Sequence, residues 1–555
     1  MTHFVPRGSL TDEEARLRAT TVYLADRRYD MLPPVLSAQL CSLLGGVERY
    51  AVSCVWEIHH QSFKVRRCWY GKTVIRSSYK LCYEHAQDII NGKSAVEMKE
   101  LIPELSELSG ANLEEKFSEM KTALDNLSVI AKKWQNSRQK EGALNLESSE
   151  VQFEFEEKNT KELKPKEHLE IHETVAECMI MANHWVARKI SEVFPSNSIL
   201  RLHPAPKQGR FSELEVCARS RGWRLDTTTN KSLATSLDHC NDSKDWTVNF
   251  LLRNIATSAM EQARYFSTGS REQEKWSHYG LALDKYTHFT SPIRRYADVL
   301  VHRLLMASLQ LTKSDWWSDQ ASQPSQPAVV SQLNNAELQE LCEHINTRNT
   351  AAQRAQRDSQ VLFQTLYFRD RPLSDPRCVV DAVIFSLRDN GFLVYIPQYA
   401  IKGPVYLESR SKEVLYCGKL GPTWQVGMVS RKVDYVKVDT IDGTNIYRLF
   451  DHVTVGVQLK GGDSHANVLS FSLLDNHPWR EQAKVGQDEG SGRVNFLKEA
   501  RMEQGTDPRE DEEEEEEEED ISNRRRKKPK INVYEFFNEM RQMAVRPLDD
   551  EPMEI

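Results

Sequence analysis

HYGLALDKYTHFTSPIRRYADVLVHRLL, residues 278–305, carries the clearest local pattern in the chain. Ser291 suits a helix N-cap, and Pro292 suits the first helical position, where a missing N–H leaves nothing unpaired. Ile293, Tyr296, Leu300 and Leu304 recur at helical spacing, so the pattern predicts a helix over Ser291–Leu311 with one apolar stripe. Arg294 and Arg295 then fall in its first turn, where cations oppose the helix dipole. Free N–H groups beside two guanidinium forks make a phosphate site. The competing reading is an ordinary helix-face bridge from Arg294 to Asp298, one turn on. Tyr279, Tyr286, His288, Phe289 and Tyr296 interleave with Lys285 and the two arginines. Aromatics beside cations suit single-stranded nucleic acid, although a packed aromatic core leaves the same trace.

Upstream, residues 170–310 read as helices joined by short polar loops, with Ile171, Val175, Met179, Ala182, Val186 and Ile190 on one stripe and a second helix over Phe250–Phe266. Leu113, Phe117, Met120, Leu124, Leu127 and Trp134 give another amphipathic helix, and Val151, Phe153 and Phe155 alternate as in a strand. Val47–Trp56 and Phe63–Arg76 are rich in β-branched and aromatic residues and predict paired strands, after a proline turn at Asp30–Pro34. Downstream, residues 312–330 read as a Ser/Gln/Pro/Trp loop and Leu338–Phe368 as a polar helix. From Cys378 the period changes to two. Val379–Phe385, Gly391–Ile396, Val405–Leu407, Tyr435–Val438 and His452–Leu459 are strand candidates, split by turns such as Asp389–Gly391 and Asp442–Gly443, and predict a small barrel of OB type.

The chain has 555 residues, 39% hydrophobic and 28% charged, with a formal net charge of −8. This excludes collagen-like, disulfide-scaffold and wholly disordered classes. Glu510–Asp520 is an unbroken acidic run of eleven, so the remainder changes from −8 to +3, slightly basic and open to a polyanionic partner. That run and the basic cluster Arg524–Lys530 cannot bury a core, which predicts a disordered tail with one short helix at Asn532–Met543. Ten cysteines include no C-x-x-C pair, which argues against structural zinc and for reduced thiols. No apolar run is long enough for a membrane span, and the start has no secretory pattern.

The segment His288–Asp298 (HFTSPIRRYAD) closely resembles the signature of the RNB family, the exoribonucleases of ribonuclease II and R type. The resemblance continues through Asp12–Arg16, Tyr23–Arg28, Met31–Pro33, Leu40–Leu43, Arg76–Ser77, His172–Met179, His203–Pro204, Lys231–Leu233 and Tyr265–Gly269, in the expected order from Thr2 to about Leu305. It is most similar to the eukaryotic cytoplasmic branch that works with the RNA exosome. The fold it implies is α+β: an RNB domain at 1–308, a helical connection with a disordered loop at 309–375, an OB-fold S-one-type RNA-binding domain at 376–465 and a disordered tail at 466–555.

The activity it implies is processive 3′-to-5′ hydrolysis of single-stranded RNA to mononucleotides, on a magnesium site, in cytoplasmic RNA decay. Tyr23 resembles the family tyrosine that clamps the last nucleotides, and Arg294 the arginine on the scissile phosphate. Tyr83 aligns with an aromatic that helps fix the 3′ end and Glu177 with a cavity glutamate; a core tyrosine and a solvated helix face are the alternatives. Arg295, Tyr286 and His288 complete the candidate RNA contacts. The family takes its metal-binding aspartates from a cluster upstream of the matching segment, and no D-x-D-D-like cluster occurs near residue 1. The expectation is therefore a sequence without its own metal ligands, lacking also the strand that leads in and the family's cold-shock and PIN-type domains. The functions left open are an exoribonuclease whose metal site needs a longer product, a catalytically silent RNA-binding module, and a scaffold that uses the charged tail.

Overall fold

Ser9 opens the first helix: its Oγ accepts the N–H of Asp12 at 3.2 Å, and α1 follows over Leu10–Arg18. In this computed structural model the described residues are 1–145, 151–156, 159–166, 168–207, 209–311, 334–418, 421–461 and 467–475. After α1 comes a two-residue hairpin, β1 (Val22–Tyr23) against β2 (Arg28–Tyr29). A long antiparallel pair follows, β3 (Glu48–Ile58) and β4 (Val65–Arg76), as the β-branched and aromatic content predicts. Then come α2 (Tyr83–Ile90), α3 (Ala95–Lys99) and α4 (Gly110–Lys140). α4 buries Leu113, Phe117, Met120 and Trp134, whereas Leu127, at 38% exposure, is off the stripe. β5 (Val151–Glu156) and β6 (Asn159–Pro165) form a further hairpin.

α5 (Glu170–Val193) buries Ile171, Ala182, Val186 and Ile190 as expected, and adds the polar Thr174, Glu177 and Asn183 to its buried face. After β7 (Ile199–Leu202) come α6 (Ser212–Ser220), α7 (Asn230–His239) and α8 (Trp246–Ser258). The helix expected over Phe250–Phe266 is thus wrong at both ends. It starts where Asp245 caps Thr247 N–H, and Tyr265 and Phe266 lie on β8 (Arg264–Ser267), paired with β7. Aromatic side chains on a short pleated pair override a weak helical period.

α9 (Tyr296–Leu311) starts later than the predicted Ser291. Residues 292–294 form a turn instead, and the backbone there is committed elsewhere. Tyr296 N–H donates to Ala19 O at 2.8 Å, and Thr21 N–H donates to Arg294 O at 3.0 Å. The backbone at Arg294 and Tyr296 is therefore tied to the Ala19–Thr21 segment. α10 (Asn335–Phe368) begins at a capping box of Asn334 and Glu337.

The remaining strands are β9 (Val379–Arg388), β10 (Gly391–Ile396), β11 (Ile401–Tyr406), β12 (Val414–Gly418), β13 (Gly421–Gln425), β14 (Gly427–Arg431), β15 (Tyr435–Thr440), β16 (Gly443–Arg448), β17 (His452–Gly461) and β18 (Asn467–Asp475). A closed five-stranded barrel runs β10-β11-β18-β17-β9, confirming the small barrel. Two details differ from the sequence reading. Tyr435–Val438 lies outside the barrel, in a sheet ordered β14-β15-β16, and β18, past residue 465, takes its place. A strand's alternation reports one buried face and not which sheet supplies it. His452 joins the barrel to the helical body: its ring nitrogens lie 2.8 Å from Asp381 Oδ2 and 3.1 Å from Asp245 Oδ2. The Asp381 hydrogen bond, with Asp245 beside it, pushes this imidazole up to about 9.

The barrel shares one apolar core with α6 and α8, while a second core unites α1, α5, α9 and the start of α10. The loop at 312–330, the charged runs and the helix at Asn532–Met543 lie outside the described residues. Among the described residues no helix is long and apolar enough to cross a membrane.

Candidate functional site

Tyr23 and Arg294, far apart in sequence, are brought together by backbone pairing. Thr20 bridges to Arg295, Thr21 N–H holds the Arg294 carbonyl, and two residues on the chain turns Tyr23 outward on β1. Directly opposite Tyr23 on β2 stands Arg28. Tyr23 and Arg294 line the same cavity, of about 1080 Å³. Tyr23 is 39% exposed and Arg294 is exposed, so both present free surface.

The far wall is one face of the β3–β4 hairpin. Tyr50 pairs with Val74 and Val52 with Lys72, so these four side chains share that face, and all line the cavity. Tyr50 is 60% exposed, and its ring lies 5.0 Å from that of His3. Among the described residues, four permanent cations, Arg28, Lys72, Lys80 and Arg294, stand around the cavity against one carboxylate, Asp30. A concavity lined by one sign of charge concentrates anions. His302 adds no charge at neutral pH. Burial drives it down to about 4, while its Nε2 lies 2.7 Å from Phe289 O. The arrangement is suited to hold a short, phosphate-bearing strand with bases on exposed rings.

The other sequence candidates lie elsewhere. Arg295 turns inward to an ion pair with Asp298, whose side chain is fully buried, at 2.8 Å. The predicted bridge from Arg294 to Asp298 is thus made by Arg295, which leaves Arg294 for the cavity. Tyr286 and His288 sit in a packed polar core. Asn183 Nδ2 donates to Tyr286 Oη at 3.0 Å, Asn183 Oδ1 accepts Phe289 N–H at 2.8 Å, and His288 Nδ1 meets Tyr265 Oη. Burial holds His288 well below the ordinary imidazole range. Tyr83 is 44% exposed on α2 but faces His172, ring centroids 4.4 Å apart. Glu177 is 2% exposed and receives Arg138 in a fork, Nε at 2.8 Å and Nη2 at 2.5 Å. It is neither a solvated helix face nor part of the cavity lining. Sequence reasoning missed Arg28, Tyr50, Lys72 and Lys80. The signal available was Lys72 among the apolar residues of β4, but not which hairpin face turns inward.

The family resemblance implies magnesium, and the cavity does not fit it. A two-metal site needs several convergent carboxylates. Here the single one, Asp30, is paired with Arg28 Nε at 3.2 Å. Among the described residues no cluster of three or more His, Cys, Asp or Glu side chains is able to hold a metal ion.

Residues 1–311 match the RNB domain family. The chain is 38% identical over 411 residues to the probable exosome complex exonuclease RRP44 of Caenorhabditis elegans, covering 74% of this chain and 38% of that protein. It is 32% identical over 507 residues to human exosome complex exonuclease RRP44, covering 91% of this chain and 47% of the relative. It therefore spans less than half the length of either. The fold is similar to the apo form of Mycoplasma genitalium RNase R, with a TM-score of 0.63 at 20% identity, covering 85% of this chain and 65% of the other. It is also similar to yeast Ssd1, a pseudonuclease, with a TM-score of 0.62 at 17% identity, covering 86% of this chain and 63% of the other. With the family matched over more than half of its length, the chain belongs to the RNB domain family.

Proposed function

We propose that this chain is the RNA-gripping part of a 3′-to-5′ exoribonuclease of the Dis3-like branch, acting on single-stranded RNA in cytoplasmic decay. The observation that carries the reading is the shared cavity of Tyr23 and Arg294, with three further cations around it. In it Tyr23 and Tyr50 stack terminal bases. Arg294, Arg28 and Lys72 hold backbone phosphates, Arg294 as the fork nearest the last phosphate. The names of the RRP44 relatives extend the reading to an exosome partner. No residue of this cavity is assigned to hold magnesium.

A second reading, an RNA-binding module without hydrolysis, is favoured by the single lining carboxylate, Asp30, and its commitment to Arg28. Purified chain incubated with 3′-labelled single-stranded RNA, with and without magnesium, separates the two. Binding with mononucleotide release supports the nuclease; binding without release supports the module; absence of binding at low salt overturns both.

A further inference from the structure

The hairpin face that walls the cavity continues into a row of two thiols. Cys54 on β3 opposes Tyr70, and Cys68 on β4 opposes Trp56. The cysteines are therefore diagonal neighbours on the face of Val52 and Lys72, and their sulfurs lie 3.3 Å apart. Both are free and half-buried. The row is fixed from both sides. Trp56 packs edge-on against Trp134 with centroids 5.4 Å apart, and Tyr70 Oη donates to Trp185 O at 2.9 Å. Nothing in the RNA reading uses either thiol.

We propose that Cys54 and Cys68 form a peroxide-oxidisable dithiol, a modification site that closes reversibly to a disulfide within the β3–β4 hairpin. Closing requires the sulfurs to move together by about 1.3 Å, which for diagonal neighbours takes a shift of the two strand backbones as well as side-chain rotation. The two thiols are not equivalent. Either sulfur can donate in this contact; with Cys54 as donor, it holds Cys68 below the ordinary thiol range. The same bond, with burial, pushes Cys54 up. With Cys54 as the donor, Cys68 is the attacking sulfur.

As thiolate, Cys68 attacks one oxygen of hydrogen peroxide. The O–O bond breaks, the departing hydroxide takes a proton and becomes water, and Cys68 becomes a sulfenic acid. Cys54 then gives up its proton as its sulfur attacks Cys68, the S–O bond breaks and the hydroxyl leaves as a second water. Two thiols lose two electrons and two protons, and one peroxide becomes two waters. A dithiol reductant reverses the bond.

The test treats the full chain with peroxide, alkylates the remaining thiols and maps peptides by mass without reduction. The expected product is a linked pair of peptides carrying Cys54 and Cys68, lighter by two hydrogens, closed to alkylation and restored by dithiothreitol. Both thiols remaining alkylatable while the exposed Cys82 oxidises would overturn the proposal, as would a link from Cys68 to any other cysteine. In Cys54→Ser, a dimedone probe should label Cys68 about tenfold more strongly than it labels Cys54 in Cys68→Ser. Equal labelling would refute the assigned order of attack. Should either serine variant lose its fold by circular dichroism, the mapping of the unaltered chain decides alone.

Discussion

Replacing Arg138 by Met should destabilise the chain by about 3–5 kcal/mol, because a buried carboxylate would lose its counter-ion. The geometry sets that magnitude. The Glu177 side chain is 3% exposed and that of Arg138 13%, and the fork closes at 2.8 and 2.5 Å. A third Arg138 bond, Nη1 to Leu281 O at 3.2 Å, ties α4 to the loop before the signature segment. Met keeps much of the packing volume, so the loss isolates the charge. The control is the double variant Arg138→Met/Glu177→Gln. With no ion left to bury it should recover most of the deficit, giving a coupling of at least about 2 kcal/mol between the sites. Urea unfolding followed by circular dichroism and tryptophan fluorescence measures each corner of the cycle. A single variant as stable as the parent, or a cycle with no coupling, would show that the pair is not the buried brace described, and would return Glu177 to the list of candidate RNA contacts.

Three further outcomes follow from other parts of the molecule. Arg294→Ala and Lys72→Ala should each weaken single-stranded RNA binding about tenfold and each lower the salt slope of affinity by about one, read by fluorescence anisotropy across a salt series. An unchanged slope would remove that cation from the phosphate path. Tyr23→Ala should lose about 1–3 kcal/mol of RNA affinity while Tyr23→Phe keeps it, because the ring and not the hydroxyl carries stacking; loss in both variants would contradict a stacking role. His452 is raised to about 9 by Asp381 and Asp245, so its contribution is fully present below its unfolded value near 6.5 and is lost as pH rises through 9. Half-burial and solvent screening limit it to about 1–2 kcal/mol. Urea titrations between pH 6 and 10 should show that decline and should be flatter for His452→Asn; equal slopes would refute the latch.

What the sequence disclosed depended on whether a residue's role was local. The α4 stripe, the long hairpin and the five-stranded barrel were readable because periodicity reports which face of an element is buried. The start of α9 was not, because Pro292 and Ser291 are good opening residues whose claim is overridden by a distant partner, the strand-like segment at Ala19–Thr21. The same cause misassigned β15, which hydrogen-bonds within a three-stranded sheet although its buried Val436 and Val438 belong to the apolar core of the barrel. At the site, Tyr23 and Arg294 were found through motif resemblance and share one cavity. Composition alone could not separate Arg294 from Arg295. One is exposed and the other bound to Asp298, a difference of roughly one helical step that only the backbone settles. Lys72 was invisible because a cation on a strand reads as a solvated face until the opposing wall is known, and Lys80, in the loop after β4, carries no periodic signal.

The most direct test of the shared cavity uses single-stranded RNA with a photoreactive 4-thiouridine as its last nucleotide, cross-linked to the full chain and mapped by mass spectrometry. The account predicts adducts on peptides that carry Tyr23, Tyr50 or Arg294, lost when unmodified RNA with a free 3′ end competes. Adducts confined to the barrel strands β9–β18, or retained under that competition, would contradict it.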